Sequence, residues 1–194
     1  MNFFVTGIGH SGTMWLAKVL DCPHESPDPR SVVIPHPYTP FPVERFWKGG
    51  DGYGEVNGML RYHLSAQYPG KERLIPRRAF IRRDPKKIIA SWMNDELQRK
   101  PWELASVCFE VLWHFKNLSE WAENDPGAVV FDLDAIGSHP ARLAEVLQWA
   151  GKPRKVMPDD LKPVRPTPDR LKWFEWGTAE METFDLVSKR VGLA

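Results

Sequence analysis

Apolar positions along this chain switch between unbroken runs and helical spacing. The run Phe3-Phe4-Val5 enters a glycine-rich turn from Gly7 to Thr13, after which Trp15, Leu16, Val19 and Leu20 recur at the spacing of an amphipathic helix. Arg78 to Arg82 reads as a buried strand with charged ends. Asp84-Pro85 then starts a helix running to about Leu97, with Asp as N-cap and Pro at the first helical position. From Trp102 to about Trp121, Ala105, Cys108, Phe109, Leu112, Phe115 and Leu118 keep the helix period and predict a long amphipathic helix. Ala128 to Leu133 reads as another buried strand. Ser138 and Pro140 open a helix that Gly151 closes, and Thr178 to Val191 is the last helix. Between these lie a proline-rich segment from Cys22 to Pro42, with one candidate strand at Ser31 to Ile34, and a loop from Lys152 to Pro168. A short strand is expected at Glu55 to Asn57 and a helix from Gly58 to Tyr68, stopped by Pro69-Gly70. No internal repeat or low-complexity tract interrupts the pattern.

Strands alternating with helices predict an α/β fold: a three-layer arrangement in which helices cover both faces of a parallel sheet. Such sheets bind ligands at the carboxyl ends of their strands. The length, 194 residues, suits a single domain over 1–194 and buries roughly 70% of the unfolded chain's surface. With 42% hydrophobic and 26% charged residues the composition is that of a soluble globular protein. A net charge of +1 excludes a polyanion-coating surface, so any anion site is local and no nucleic-acid partner is expected. Nine Trp predict an aromatic-rich core or cleft, and eighteen Pro predict stiff connections. Cys22 and Cys108, the only cysteines, stand far apart, which supports neither a zinc site nor a disulfide framework and favours a reducing compartment. The first strand begins almost at residue 1, leaving no room for a signal peptide, and no apolar run reaches transmembrane length. The expectation is a cytoplasmic protein with no membrane partner.

A strand, a glycine turn and a helix start together form a phosphate cradle, because backbone N–H groups and the helix dipole face the anion. Gly7 and Gly12 have the Walker A spacing, but Thr13-Met14 stand where that motif has Lys and then Ser or Thr. That lysine neutralises β- and γ-phosphate charge. Its absence counts against a nucleotide kinase or NTPase with a degenerate Walker A, which stays as the alternative enzyme reading. A second candidate cluster is Arg82-Arg83-Asp84-Pro85 with Ser91 further along the helix. Arg83 offers a planar, permanently charged fork for a phosphate, and the Ser91 hydroxyl a further hydrogen bond.

His10-Ser11-Gly12-Thr13-Met14-Trp15-Leu16 resembles the 5′-phosphosulfate loop of sulfotransferases that use 3′-phosphoadenosine 5′-phosphosulfate (PAPS), and Arg83-Asp84-Pro85 with Ser91 is similar to their 3′-phosphate motif. Phe131-Asp132-Leu133-Asp134 and Glu55-Val56-Asn57 with Leu60 are weaker echoes of the same family. The resemblance implies a P-loop-like fold and a small bacterial or phage-type member. It implies PAPS as sulfuryl donor, PAP as product, no metal for the transfer, and a small-molecule or glycan hydroxyl as acceptor. Donor contacts would come from His10, Ser11, Gly12, Thr13, Met14, Trp15, Arg83 and Ser91. His10 stands where the family has Lys or Arg. As imidazolium it would stabilise charge on the bridging oxygen, so His10 is a catalytic candidate as well as a donor contact. The transfer needs a base for the acceptor's proton. Cys22-Pro23-His24-Glu25-Ser26-Pro27 looks like a segment of some bacterial members, which makes Glu25 the favoured base and His24 the second candidate.

Each of these residues also has a plain structural reading. The glycines permit a tight turn, Asp84-Pro85 caps a helix in any event, and Ser91 fits an ordinary helix surface. Met14, Trp15, Trp92 and Trp113 read as core residues. A catalytically inactive nucleotide-binding module on the same fold is the third reading. Acceptor identity and oligomeric state are not written in the sequence.

Overall fold

Phe3–Gly7 forms strand β1, and the turn after it delivers the chain into helix α1, Thr13–Val19. A computed structural model of the chain describes residues 2–22, 24, 54–56, 75–94, 99–161 and 173–193. In order there follow β2 (Gly54–Val56), β3 (Arg77–Arg82), α2 (Pro85–Met93), α3 (Leu104–Asn124), β4 (Ala128–Asp132), α4 (Leu133–Ser138), α5 (Pro140–Trp149) and α6 (Thr178–Val191). Single 3₁₀ turns at Pro101–Glu103 and Pro158–Asp160 complete the regular structure among the described residues.

The strands form one parallel sheet in the order β2-β1-β3-β4. Its register places Gly7 beside Ile81 and Arg82 beside Asp132, so the ends of β1, β3 and β4 lie on one rim. Strand side chains alternate between faces. Phe4 and Phe80 join Ile88, Ile89, Met93, Val107, Val111, Leu118 and Val187 in a core under α2, α3 and α6. Phe3, Val5, Ala79 and Ile81 join Leu16, Leu20, Leu133, Leu143 and Leu147 in a second core under α1, α4 and α5. The layering is therefore helices, sheet, helices, as the alternation of strands and helices predicts. Among the described residues no helix is long and apolar enough to cross a membrane.

Several predicted boundaries move, each for a local reason. Helix α2 ends at Met93, not near Leu97, because Asn94 turns out of the helix and its side chain binds the backbone of Trp173 and Phe174. On α3 the buried row is Leu104, Val107, Cys108, Val111, Leu112, Leu118 and Trp121. Ala105 and Phe109, predicted in that row, are exposed, one position around the helix from it. Strand β4 is half exposed rather than buried because it lies at the sheet's edge, and it stops at Asp132, whose carboxylate caps the short helix α4. Ser138 accordingly ends α4 instead of opening α5, which starts at Pro140 behind His139. The short strand β2 covers Gly54–Val56, one residue earlier than its expected start, and Asn57 lies outside the described residues. The expectations for 31–34 and 58–68, and for the loop beyond Leu161, fall outside the described residues.

Candidate functional site

In the order β2-β1-β3-β4 the chain leaves β1 toward one side for β2 and toward the other for β3, so the topological switch point lies between β1 and β3. In open parallel sheets a ligand crevice lies at such a point, beyond the carboxyl ends of the strands. The residues at that point are the glycine turn after β1 and Arg83-Asp84 after β3. Topology thus brings together two segments some seventy positions apart in sequence.

The turn folds back on itself. Ser11 N–H donates to the Ile8 carbonyl at 3.0 Å, and His10 and Gly12 both adopt the left-handed region, at φ 64° and 88°. The first helical bond after it runs from Leu16 N–H to the Gly12 carbonyl, so the amides of Gly12, Thr13 and Met14 have no acceptor within the helix. Ser11 N–H, expected among the anion donors, is committed to the turn instead. The Ser11 side chain is fully buried, with Oγ packed where a side chain on Gly7 would stand, and Oγ has no hydrogen-bond partner among the described residues.

The β3–α2 segment grips the same turn. Asp84 caps α2, accepting from Lys86 N–H at 2.9 Å, with Pro85 at the first helical position as predicted. That cap aims Arg83 back across the rim, where Nη1 donates to the His10 carbonyl at 2.8 Å. Arg83 Nε is buried with no partner among the described residues. Burial pulls the guanidinium below its ordinary pKa, opposed by the carboxylates of Asp134 and Asp84. Ser91, two turns along α2, shares a 3.0 Å hydrogen bond with His10 Nδ1. The Trp92 indole N–H donates to the Gly9 carbonyl at 3.0 Å.

A second histidine reaches the turn from the opposite side. His24 Nε2 and the largely buried Thr13 Oγ1 share a 3.0 Å hydrogen bond. The structure therefore unites His10, Ser11, Gly12, Thr13, His24, Arg83 and Ser91. Two predicted contacts stand apart from this group. Met14 lies in the first turn of α1, but its side chain points to solvent, 72% exposed, against the core reading. Trp15 packs against the second core with its indole N–H donated to the Asp160 carbonyl at 3.0 Å. Trp113, also expected in the core, is exposed on α3. Glu25 lies outside the described residues.

Around the site, Lys87 pairs with Asp134 at 2.6 Å and Arg82 with Asp132 at 3.8 Å. The acidic segment after β4 thus offsets the neighbouring cations and caps α4. Sequence reasoning missed Trp92 as a partner of the turn. Its adjacency to Ser91 on a helix leaving the rim was the available signal. No protein-family model matches the chain, and comparison with curated proteins gives no match.

Proposed function

We propose that the chain is a PAPS-dependent sulfotransferase of P-loop-like fold, acting on an acceptor hydroxyl of a small molecule or glycan. The observation that carries this reading is the half-used Arg83. At the switch point Nη1 donates to the His10 carbonyl in a turn suited to an anion, and the half-buried guanidinium keeps donors that take no partner among the described residues.

The residues fit the donor in kind. Arg83 would hold the 3′-phosphate, with the Ser91 hydroxyl beside it. The amides of Gly12, Thr13 and Met14 and the Thr13 hydroxyl would hold the 5′ side, where His10 supplies the cationic charge. When bound, the donor supplies a sulfuryl group carried on a phosphate leaving group. The chain's own task is to align the acceptor oxygen and remove its proton. His24, already hydrogen-bonded to Thr13, and its sequence neighbour Glu25 are the candidate proton acceptors. Trp15, tied to Asp160, serves this reading as a fixed wall of α1 rather than as a donor contact.

Calorimetric titration with adenosine 3′,5′-bisphosphate, ADP and ATP, in EDTA and again in Mg²⁺, tests the reading. Preference for the 3′-phosphorylated nucleotide in EDTA, lost in Arg83→Ala, is the expected result. Equal affinity for all three nucleotides, or ATP binding that requires Mg²⁺, overturns it in favour of the kinase reading.

A further inference from the structure

We infer that Trp92 is a positioning residue for the anion-binding turn, fixing the Gly9–His10 peptide that carries the His10 imidazole and leads into the amides that would meet the ligand. It rests on the sulfotransferase reading for its consequence in binding, while the geometry it describes stands apart from that reading.

A glycine-rich turn has many accessible backbone conformations, and an anion is bound well only when the amides are aimed before it arrives. Here the aim is set from the carbonyl side. Two consecutive carbonyls, those of Gly9 and His10, accept hydrogen bonds from two side chains of the β3–α2 segment, Trp92 Nε1 and Arg83 Nη1, at 3.0 and 2.8 Å. Each peptide is planar, so pinning its carbonyl also fixes the direction of the next residue's N–H. These bonds govern the amides of His10 and Ser11, and Ser11 N–H closes the turn on Ile8. They also hold His10 at its unusual positive φ of 64°.

Trp92 does more than donate. Its ring lies against the His10 imidazole, with centroids 5.9 Å apart, and approaches Gly9 so closely that a Cβ there would meet its six-membered ring at 3.3 Å. The Arg99 guanidinium lies over the ring at 5.5 Å, and Arg99 is itself 3.8 Å from Glu103 at the entry to α3. A continuous stack therefore runs from the turn through Trp92 to the start of α3. Gly9 is glycine by this account because of the ring's approach, its φ lying outside the left-handed region.

Two variants test this in the intact 194-residue chain. Trp92→Phe keeps an aromatic ring and removes the N–H, and Gly9→Ala crowds the ring from the other side. For each, thermal unfolding, calorimetric binding of adenosine 3′,5′-bisphosphate, and the ¹⁵N–¹H signals of His10, Ser11 and Gly12 are compared with those of the parent. The expected result for Trp92→Phe is displaced turn signals and bisphosphate affinity lowered about two- to tenfold, the range for one net hydrogen bond, at an unfolding temperature close to the parent's. A merely structural tryptophan would lower the unfolding temperature and leave both the turn signals and the affinity of the folded protein unchanged. That outcome overturns the inference. Parent-like signals and affinity in both variants overturn it as well. If the parent itself fails to bind the bisphosphate, the donor reading falls and the turn signals alone decide the role of Trp92.

Discussion

Arg78 on β3 and Arg83 just beyond its end do opposite work. Arg78 is buried and saturated: Nε and Nη2 each reach Asp125 at 2.7 Å, and Nη1 donates to the Ile75 carbonyl. A buried pair of this kind resists the loss of one partner more than the loss of both. Asp125→Ala is therefore expected to cost about 3–5 kcal/mol, and the double variant Arg78→Met/Asp125→Leu much less, as read from urea midpoints at constant slope. Arg83, by contrast, holds one carbonyl and keeps donor capacity in reserve. Arg83→Lys keeps the charge but loses the fork, so bisphosphate affinity should fall about 10- to 100-fold in calorimetry, as for a hydrogen bond to a charged group. At this scale the sequence was legible where a motif fixes spacing along one segment: Arg83 and Ser91, marked out by spacing, both bond to His10. It was not legible where a contact depends on side-chain direction. Met14 and Trp113 are apolar by type yet project outward, and the pairing of His24 with Thr13 needs the chain's return path after α1.

Elements hold the site through their ends. Helix α1 is short and is strapped along its length by the segment after α5: Lys152 Nζ donates to the Asp21 carbonyl just beyond it, Arg154 Nη2 to the Val19 carbonyl, and the Asp160 carbonyl accepts from Trp15. Cations at a helix C-terminus complement its dipole. The strap is held in shape by Asp160, whose carboxyl is pulled down to about 2 by its hydrogen bond with Arg154 and by the amide of Met157. An unfolded Asp titrates near ~3.9, so the unfolded chain binds the proton first as pH falls. The stabilisation is thus complete above about pH 4 and is lost as pH falls through about 2, with its size trimmed by solvent because Arg154 is 41% exposed. Asp160→Asn should be less stable than the parent at pH 6 and lose that deficit near pH 2, which urea midpoints across the range would read. The strap itself was invisible in the sequence, since a proline-rich loop carries no period. Helices with strong caps were the opposite case: Asp84-Pro85 and the span Thr178–Val191 match their predicted positions because cap and period agree. Strand β4 shows why an apolar run overstates burial. Four consecutive apolar residues, Ala128 to Phe131, are equally suited to a sheet's middle and its edge, and only the strand order decides.

Across its described residues the molecule is one parallel sheet between two apolar layers, and its order β2-β1-β3-β4 puts the switch point between the central strands. Those two strands contribute to both cores, through Phe3 and Phe4 on β1 and Phe80 and Ile81 on β3. A ligand bridging the turn after β1 and Arg83 after β3 would join the two most deeply buried strands at their exposed ends. Its binding energy is then linked to global unfolding and not only to local order. At a free concentration one hundred times the Kd, bisphosphate should stabilise the fold by about 2.7 kcal/mol. For a chain of this length that is an upward shift in Tm of about 5–10 °C. Arg83→Ala should leave the ligand-free Tm near the parent's, because the side chain gives up a single bond to the turn, and should abolish most of the shift. A shift of equal size in parent and variant would move the ligand away from the switch point. No shift in the parent, at concentrations where calorimetry detects binding, would mean that the ligand also binds the unfolded chain, contrary to a site assembled by the packing of β1 against β3.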